Sequence, residues 1–227
     1  MKSMRTNDAV SQLFYTGDLL SLGREEIIIG NTPEPDGVYY IRSGYIKIYA
    51  VSDRGDENIH IIYGPDEVFP ITWAFLGTQP ETLFYETLSR CAVWRISREL
   101  MLACAQTNLA FCYAFSMRMA KQFRVFSDRV DNLEYRNASE RVAYRLLFLA
   151  SRFGVRNGEG IRIDAPLTHE VFANSVNLAR ETVSRQIEKL EHECIIKKSG
   201  GYFYILDSKS LSGKLSQPVS FKIWDLQ

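Results

Sequence analysis

Between residues 17 and 100 apolar and polar residues alternate in short runs, the period of a half-buried strand. Glu26-Ile27-Ile28-Ile29-Gly30 is a brief β-branched run, and Val38 through Tyr49 alternates around a Ser43-Gly44 turn. Asn58–Tyr63 and Cys91–Ile96 add two more runs. Pro33, Pro35-Asp36-Gly37, Asp53-Arg54-Gly55-Asp56 and Gly64-Pro65-Asp66 punctuate them. Short strands with such regular turn signals predict a small all-β barrel or sandwich.

The period changes near residue 107. Residues 107–136 contain neither Gly nor Pro, and Phe111, Phe115, Met119, Gln122, Phe126, Val130 and Leu133 recur three and four apart. This predicts one long helix with an apolar stripe of about four heptads. Lys121, Arg124, Asp128, Arg129 and Asp131 fall mostly off the stripe. The helix packs either on its own barrel or on a second copy of the chain. The homodimer is favoured, because at about 1.5 Å per residue the helix outruns a barrel of ~100 residues.

From residue 137 the pattern is mixed. Glu140–Phe153 reads as a helix carrying Val142, Leu146, Leu147 and Leu149, and Asn157-Gly158-Glu159-Gly160 as a turn before a short strand, Ile161–Ile163. Thr168 has the residue type to cap a helix over His169–Val176. A second helix is predicted over Arg180–His192. Ile195-Ile196 and Tyr202–Leu206 flank Lys197-Lys198-Ser199-Gly200-Gly201, which reads as a hairpin with a glycine turn. The chain thus divides into a barrel over 1–106, a helix over 107–136 and a mixed domain over 137–227, an α+β organisation.

Composition adds limits. With 46% hydrophobic and 24% charged residues the chain is ordinary globular material. Its net charge is zero, which argues against a nucleic-acid partner until the chain is divided. Residues 1–136 hold 14 Lys+Arg against 17 Asp+Glu, and residues 137–227 hold 13 against 10, so only the mixed domain is basic. Cys91, Cys104, Cys112 and Cys194 form no C-x-x-C pair and no zinc-spaced cluster, as expected of thiols in a reducing compartment. The N-terminus is polar with no apolar segment close behind it, and no uncharged apolar stretch approaches the ~20 residues of a membrane helix. A cytoplasmic protein without membrane contact is expected. A metal-holding barrel enzyme wants two or three His with a carboxylate, whereas the histidines are His60, His169 and His192, the last two in the mixed domain. With no P-loop, G-x-G-x-x-G or Ser-His-Asp set either, no enzyme and no cofactor are predicted.

A helix of about eight residues, a tight turn and a second helix is the helix-turn-helix pattern. On the second helix Val183, Ile187 and Leu190 share an anchoring face, and Glu181, Ser184, Arg185 and Glu188 lie opposite, with Arg180 at the N-terminal end. Arg suits bidentate bonding to guanine and Glu accepts from cytosine. Arg180, Glu181 and Arg185 are therefore candidate base readers. Thr168, Thr182, Ser184, Lys197, Lys198 and Ser199 are candidate phosphate contacts. The stretch Leu167-Thr168-His169-Glu170-Val171-Phe172-Ala173 through Arg180-Glu181-Thr182-Val183-Ser184-Arg185 resembles the helix-turn-helix signature of the CRP/FNR family of bacterial transcription regulators. Pro35-Asp36-Gly37-Val38-Tyr39-Tyr40-Ile41-Arg42-Ser43-Gly44 is similar to that family's sensor barrel. The resemblance implies a cyclic-nucleotide-binding-like barrel of the cupin-type jelly roll, a dimerisation helix and a C-terminal winged helix-turn-helix. It further implies a homodimer on palindromic double-stranded DNA with TGTGA-like half-sites, and RNA polymerase as a partner if the chain activates. Three positions depart from the family pattern. Asn177 replaces the turn glycine, Ala179 replaces a capping Ser or Thr, and Cys194 stands where a glycine usually follows the recognition helix.

The same resemblance sets expectations for the sensor. Where the cyclic-nucleotide branch carries a Gly-Glu pair and an Arg-Ser/Thr pair, this chain has Pro70-Ile71 and Glu81-Thr82. Pro lacks a backbone donor, Ile71 cannot bond a ribose hydroxyl and Glu81 repels phosphate, so cyclic AMP is not expected to bind. No cysteine precedes Cys91, which argues against the iron–sulfur branch. His60 is a candidate haem ligand or, more commonly for a lone histidine, a structural residue. Cys91, Cys104 and Cys112 are candidate redox thiols or plain buried ones. Trp73, Phe75, Thr82 and Tyr85 either line an effector pocket or fill the barrel, the second being favoured.

Overall fold

The computed structural model describes residues 8–30, 34–53, 55–78, 82–134, 137–217 and 219. Pro33, Arg54, Glu81 and positions 135 and 136 of the expected long helix lie outside them, as does the side chain of Leu133. The chain forms two compact units, residues 1–125 and 126–227.

The first unit begins with α1 (Ala9–Phe14), β1 (Asp18–Leu22), β2 (Ile27–Ile29), β3 (Val38–Ser43), β4 (Ile46–Val51), β5 (Glu57–Tyr63) and β6 (Val68–Phe69). It continues with α2 (Ile71–Leu76), β7 (Leu83–Thr87), β8 (Cys91–Ile96), α3 (Arg98–Thr107) and most of α4 (Leu109–Glu134). All strand pairs are antiparallel, in two four-stranded sheets ordered β1-β8-β3-β6 and β2-β7-β4-β5. They form a jelly-roll-like pair of antiparallel sheets rather than a closed barrel, as the cupin-type jelly roll of the resemblance implies. Tyr39 and Ile41 of β3 face the core they share with Ile46, Ile61, Phe69, Tyr85 and Val93. Val38 and Tyr40, one residue out of phase, pack against Trp73, Met101, Phe111 and Phe115 of the helices. Being buried on both faces, β3 reads as a continuous apolar run.

The long helix begins two residues later than expected, because Asn108 divides the segment. It closes α3, its N–H donating to Cys104 O at 2.9 Å, and its Oδ1 accepts from Phe111 N at 3.0 Å to cap α4. The stripe predicted for dimerisation splits. Phe111 and Phe115 are buried in their own unit, Met119 packs beside them, and Gln122 is buried with its Nε2 3.4 Å from Val68 O. Of the stripe's described side chains, Phe126 and Val130 remain exposed, at 42% and 53%. A different row, Leu109, Tyr113, Met117 and Phe123, leaves large apolar side chains bare on another face of the helix. The sequence pattern merged two apolar faces into one.

The second unit takes the end of α4 and adds α5 (Ala138–Phe153), β9 (Gly154–Asn157), β10 (Gly160–Ile163), α6 (His169–Val176), α7 (Arg180–His192), β11 (Ile196–Ser199), β12 (Tyr202–Ile205) and α8 (Ser208–Ser212). Its sheet runs β11-β12-β10-β9. Asn137 caps α5 through Glu140 N at 3.0 Å, and Val142, Leu146 and Leu149 enter the core without exposure. Two guanidiniums converge on Ser175 of α6. Arg129 Nη1 donates to its carbonyl at 2.8 Å, and Arg145 Nε donates to its Oγ at 3.2 Å. Burial pushes Arg129 down to about 10 and Arg145 well below its ordinary value; Arg145 Nη2 is buried with no hydrogen-bond partner.

Candidate nucleic-acid interface

The interface is assembled from the start of α6 onward. Thr168 Oγ1 accepts from Val171 N at 3.1 Å and starts the helix, so the expected phosphate contact is also a cap. Phe172, Ala173 and Val176 seat α6. The chain then turns at Asn177, whose φ of 52° and ψ of 52° are left-handed, the conformation for which asparagine substitutes for glycine. Cys194 likewise has a φ of 54° beyond the end of α7. Ala179 begins α7 with no side-chain cap, which forgoes roughly 1 kcal/mol.

Val183, Ile187 and Leu190 are buried, as their spacing requires. Arg180, Glu181, Arg185 and Glu188 point to solvent, and neither arginine has an ion-pair partner among the described residues. Thr182 is half-buried. Ser184 is engaged already: His169 Nδ1 lies 3.0 Å from its Oγ, and the His169 ring stacks on Phe203 of β12 at 6.3 Å. His169 therefore links the start of α6, the middle of α7 and the wing. The sequence marked it only as a histidine in this domain, because its spacing to Ser184 and Phe203 has no local period.

The wing is a hairpin with Ser199 opposite Tyr202 and two left-handed glycines, Gly200 at φ 60° and Gly201 at φ 85°. Two bonds fix it: Leu167 N donates to Gly201 O at 3.2 Å, and Lys198 N donates to Glu191 Oε1 at 2.8 Å. Ser199 is exposed. Lys197 Nζ lies 3.2 Å from Glu159 in a largely exposed pair, an association weak enough to yield to a phosphate. Lys198 Nζ sits 4.9 Å over the Phe203 ring, and burial lowers its pKa. Burial, then the Lys198 charge and, further down, that of Arg180, also hold the His169 imidazole below its ordinary value against the pull of Glu191 and Glu188. The structure thus brings Arg180, Ser184 and Lys198 around one imidazole.

This arrangement matches known proteins. The Crp-like helix-turn-helix domain pattern fits residues 140–213, and the cyclic nucleotide-binding domain pattern fits residues 19–108. The chain belongs to the CRP/FNR family. Its relatives include a CRP-like cAMP-activated global transcriptional regulator of Mycobacterium tuberculosis, 28% identical over 177 residues, which span 78% of this chain and 79% of the relative. The transcriptional activator FnrA of Stutzerimonas stutzeri is 27% identical over 212 residues, 92% of this chain and 84% of FnrA. The fold is similar to that of FixK2 from Bradyrhizobium japonicum, with a TM-score of 0.75 at 22% identity over 89% of this chain and 99% of that one.

The first unit separates the four residues offered either as pocket lining or as filling. Trp73, Phe75, Thr82 and Tyr85 do not form one pocket. Trp73 packs under the helices, Tyr85 lies in the core between the sheets, and Thr82 is exposed. Between the sheets Phe69 stacks on Tyr39 at 5.1 Å and on Tyr85 at 5.3 Å, filling the interior. Phe75 lines a cavity among α2, α3 and α4. His60 is half-buried on β5 and engaged in an interaction of its own. Cys91 is buried, and burial raises the Cys91 and Cys104 thiols; Cys112 donates to Ala105 O at 2.8 Å.

The lowered His169 pKa makes stability depend on pH with a definite sign. The unfolded chain takes the proton near the ordinary histidine value of 6.5 while the folded chain resists, so unfolding binds protons as pH falls. The contribution is complete above that value and drains as pH drops through the folded pKa. Between pH 7.5 and 5.5 the urea midpoint of the second unit is expected to fall further in the wild type than in His169→Gln. Equal falls would remove His169 from this account.

Proposed function

We propose that this CRP/FNR protein is a homodimeric, sequence-specific regulator that carries α7 into the DNA major groove. Arg180 and Arg185 pair with guanines and Glu181 with a cytosine, in two TGTGA-like half-sites about one helical turn apart or a multiple of it. Thr168, Thr182, Lys197, Lys198 and Ser199 serve the phosphates, and Ser184 serves through its bond to His169. The reading is carried by one observation: α7 is seated by Val183, Ile187 and Leu190 while its reading face stays bare. An activator of this design would add RNA polymerase as a partner. The protein works in the cytoplasm without catalysis; among the described residues no single helix is long and apolar enough to cross a membrane.

Site selection from random duplexes by the purified protein should recover a palindrome, and Arg180→Ala or Arg185→Ala should each lose preference at one guanine, about 10- to 100-fold in affinity. Selected sites identical to the wild type's would make both arginines mere surface charges.

Dimerisation is assigned to the bare row of α4. Leu109, Tyr113, Met117 and Phe123 recur four, four and six apart, close to a heptad seam. Tyr113→Glu with Phe123→Glu should sediment as a monomer with an unchanged far-UV spectrum, and a dimer surviving both charges would move the seam elsewhere.

The sensor reading excludes cyclic AMP. Pro70 and Ile71 open α2 where the nucleotide's sugar would need polar partners, and aromatic rings occupy the space between the sheets. Titration calorimetry with cyclic AMP should register no heat of binding at millimolar nucleotide; micromolar affinity would defeat this.

A further inference from the structure

The CRP/FNR sensor unit contains a cavity of about 500 Å³ outside the space between its sheets. Phe75 and Leu76 of α2 form one wall and Phe111, Phe115 and Met119 of α4 the other, with Ala105 of α3 between them. Among the described residues no charged side chain lines it. The walls are pre-formed: Phe115 packs on Phe75 at 5.2 Å and on Phe111 at 5.6 Å. Arg98 of α3 holds α2 by donating to Trp73 O at 3.1 Å.

The polar lining groups define what the cavity accepts. Cys112 donates to Ala105 O at 2.8 Å and Ser116 Oγ to Cys112 O at 2.8 Å, so both are satisfied within the protein. Thr72, at the exposed rim, makes no hydrogen bond to another described residue. The cavity therefore offers mostly hydrocarbon contact, with the Thr72 hydroxyl as its free donor and the Thr72 and Ser116 oxygens as acceptors. A nucleotide, or any anion, would meet no compensating charge there.

Its volume suits a small molecule, since ligand pockets run from about 300 to 1,000 Å³. A helix from a second copy, about 10 Å across with its side chains, is too wide to enter it. Leu76, 72% exposed at the rim, is left for the occupant to cover. We infer that the hollow among α2, α3 and α4 binds an uncharged, mainly hydrocarbon or aromatic small molecule carrying one hydrogen-bonding group, such as a phenol or a medium-chain alcohol.

The position links occupancy to regulation, a consequence that rests on the dimer proposed above. Cys112 and Ser116 lie beside Tyr113 and Met117 on α4, so an occupant pressing on the first pair bears on the seam formed by the second. A molecule wedged between α2 and α4 stiffens α4 where it meets its partner.

Fluorescence titration of the full chain with N-phenyl-1-naphthylamine, a neutral aromatic probe with one N–H, tests the site. We expect saturable enhancement with one probe per chain. Ala105→Phe and Ser116→Phe, which fill the hollow from α3 and α4, should each weaken it at least tenfold, and Thr72→Val a few-fold. Val51→Ser, on an exposed strand, should leave it unchanged. Two filling variants are used so that one misfolded protein, identified by far-UV circular dichroism, does not decide the result. Absence of saturable binding, or equal affinity in the wild type and a folded filling variant, overturns the assignment. So does an affinity that falls as the chain concentration rises, which would mean that a second copy fills the hollow. Retention of the selected duplex in the same samples reads the regulator assignment independently: its loss in the wild type would count against DNA binding and leave the cavity result standing.

Discussion

The fold depends on one helix meeting two opposed demands. α4 must bury Phe111, Phe115 and Gln122 against its own sheets and helices, because without them Val38, Tyr40 and Trp73 lose their cover. It must also leave Leu109, Tyr113, Met117 and Phe123 exposed. An α-helix can serve both, since rows about 100° per residue apart diverge within a single turn. A helix that satisfied only the first demand would be a lid, and one that satisfied only the second would have no attachment to a sensor. The hollow beside Cys112 and Ser116 lies between the two rows.

The second unit solves a different problem: how to hold a helix firmly while exposing the face that must remain free. α7 spends three apolar residues on its seat, and further ties reach it from α6 and from the wing. Glu191, on its last turns, accepts from the backbone of the wing, and His169 meets Ser184 from α6. The missing cap at Ala179 leaves the first N–H groups of α7 without a side-chain acceptor. These groups open toward the region assigned to DNA, where backbone N–H groups at a helix start favour a phosphate.

Much of this was legible in the residues, and the failures have identifiable causes. The bounds of α6 and α7, the left-handed Asn177 and the glycine wing were all readable, because each depends on chemistry within a few residues. The jelly roll implied by the resemblance stands, whereas alternation alone left barrel and sandwich both open, since it reports that a strand has a buried face but not how sheets close. The long-helix stripe failed at Phe111, Phe115, Met119 and Gln122: a hydrophobic period cannot say which surface a face meets when two apolar faces share one helix. Trp73, Phe75, Thr82 and Tyr85 were grouped by nearness in sequence, but α2 ends at Leu76 and the chain changes element before β7. The tie between His169, Ser184 and Phe203 joins three elements and left no trace in any one of them.

Net charge misleads here because charge acts locally. In the first unit three cations are paired: Arg95 with Asp18 and Asp36, Arg118 with Asp8, and Lys47 with Glu57 and Glu86. Each pair cancels its field within a few ångströms, so an approaching polyanion meets little attraction at that surface. In the second unit Arg180 and Arg185 have no such partner among the described residues, and Lys197 has a weak one. A chain with zero net charge can therefore present a positive face to a phosphate backbone, provided its carboxylates are committed elsewhere. Attraction for a phosphate backbone therefore depends on where charge is left unpaired rather than on the sum over the chain.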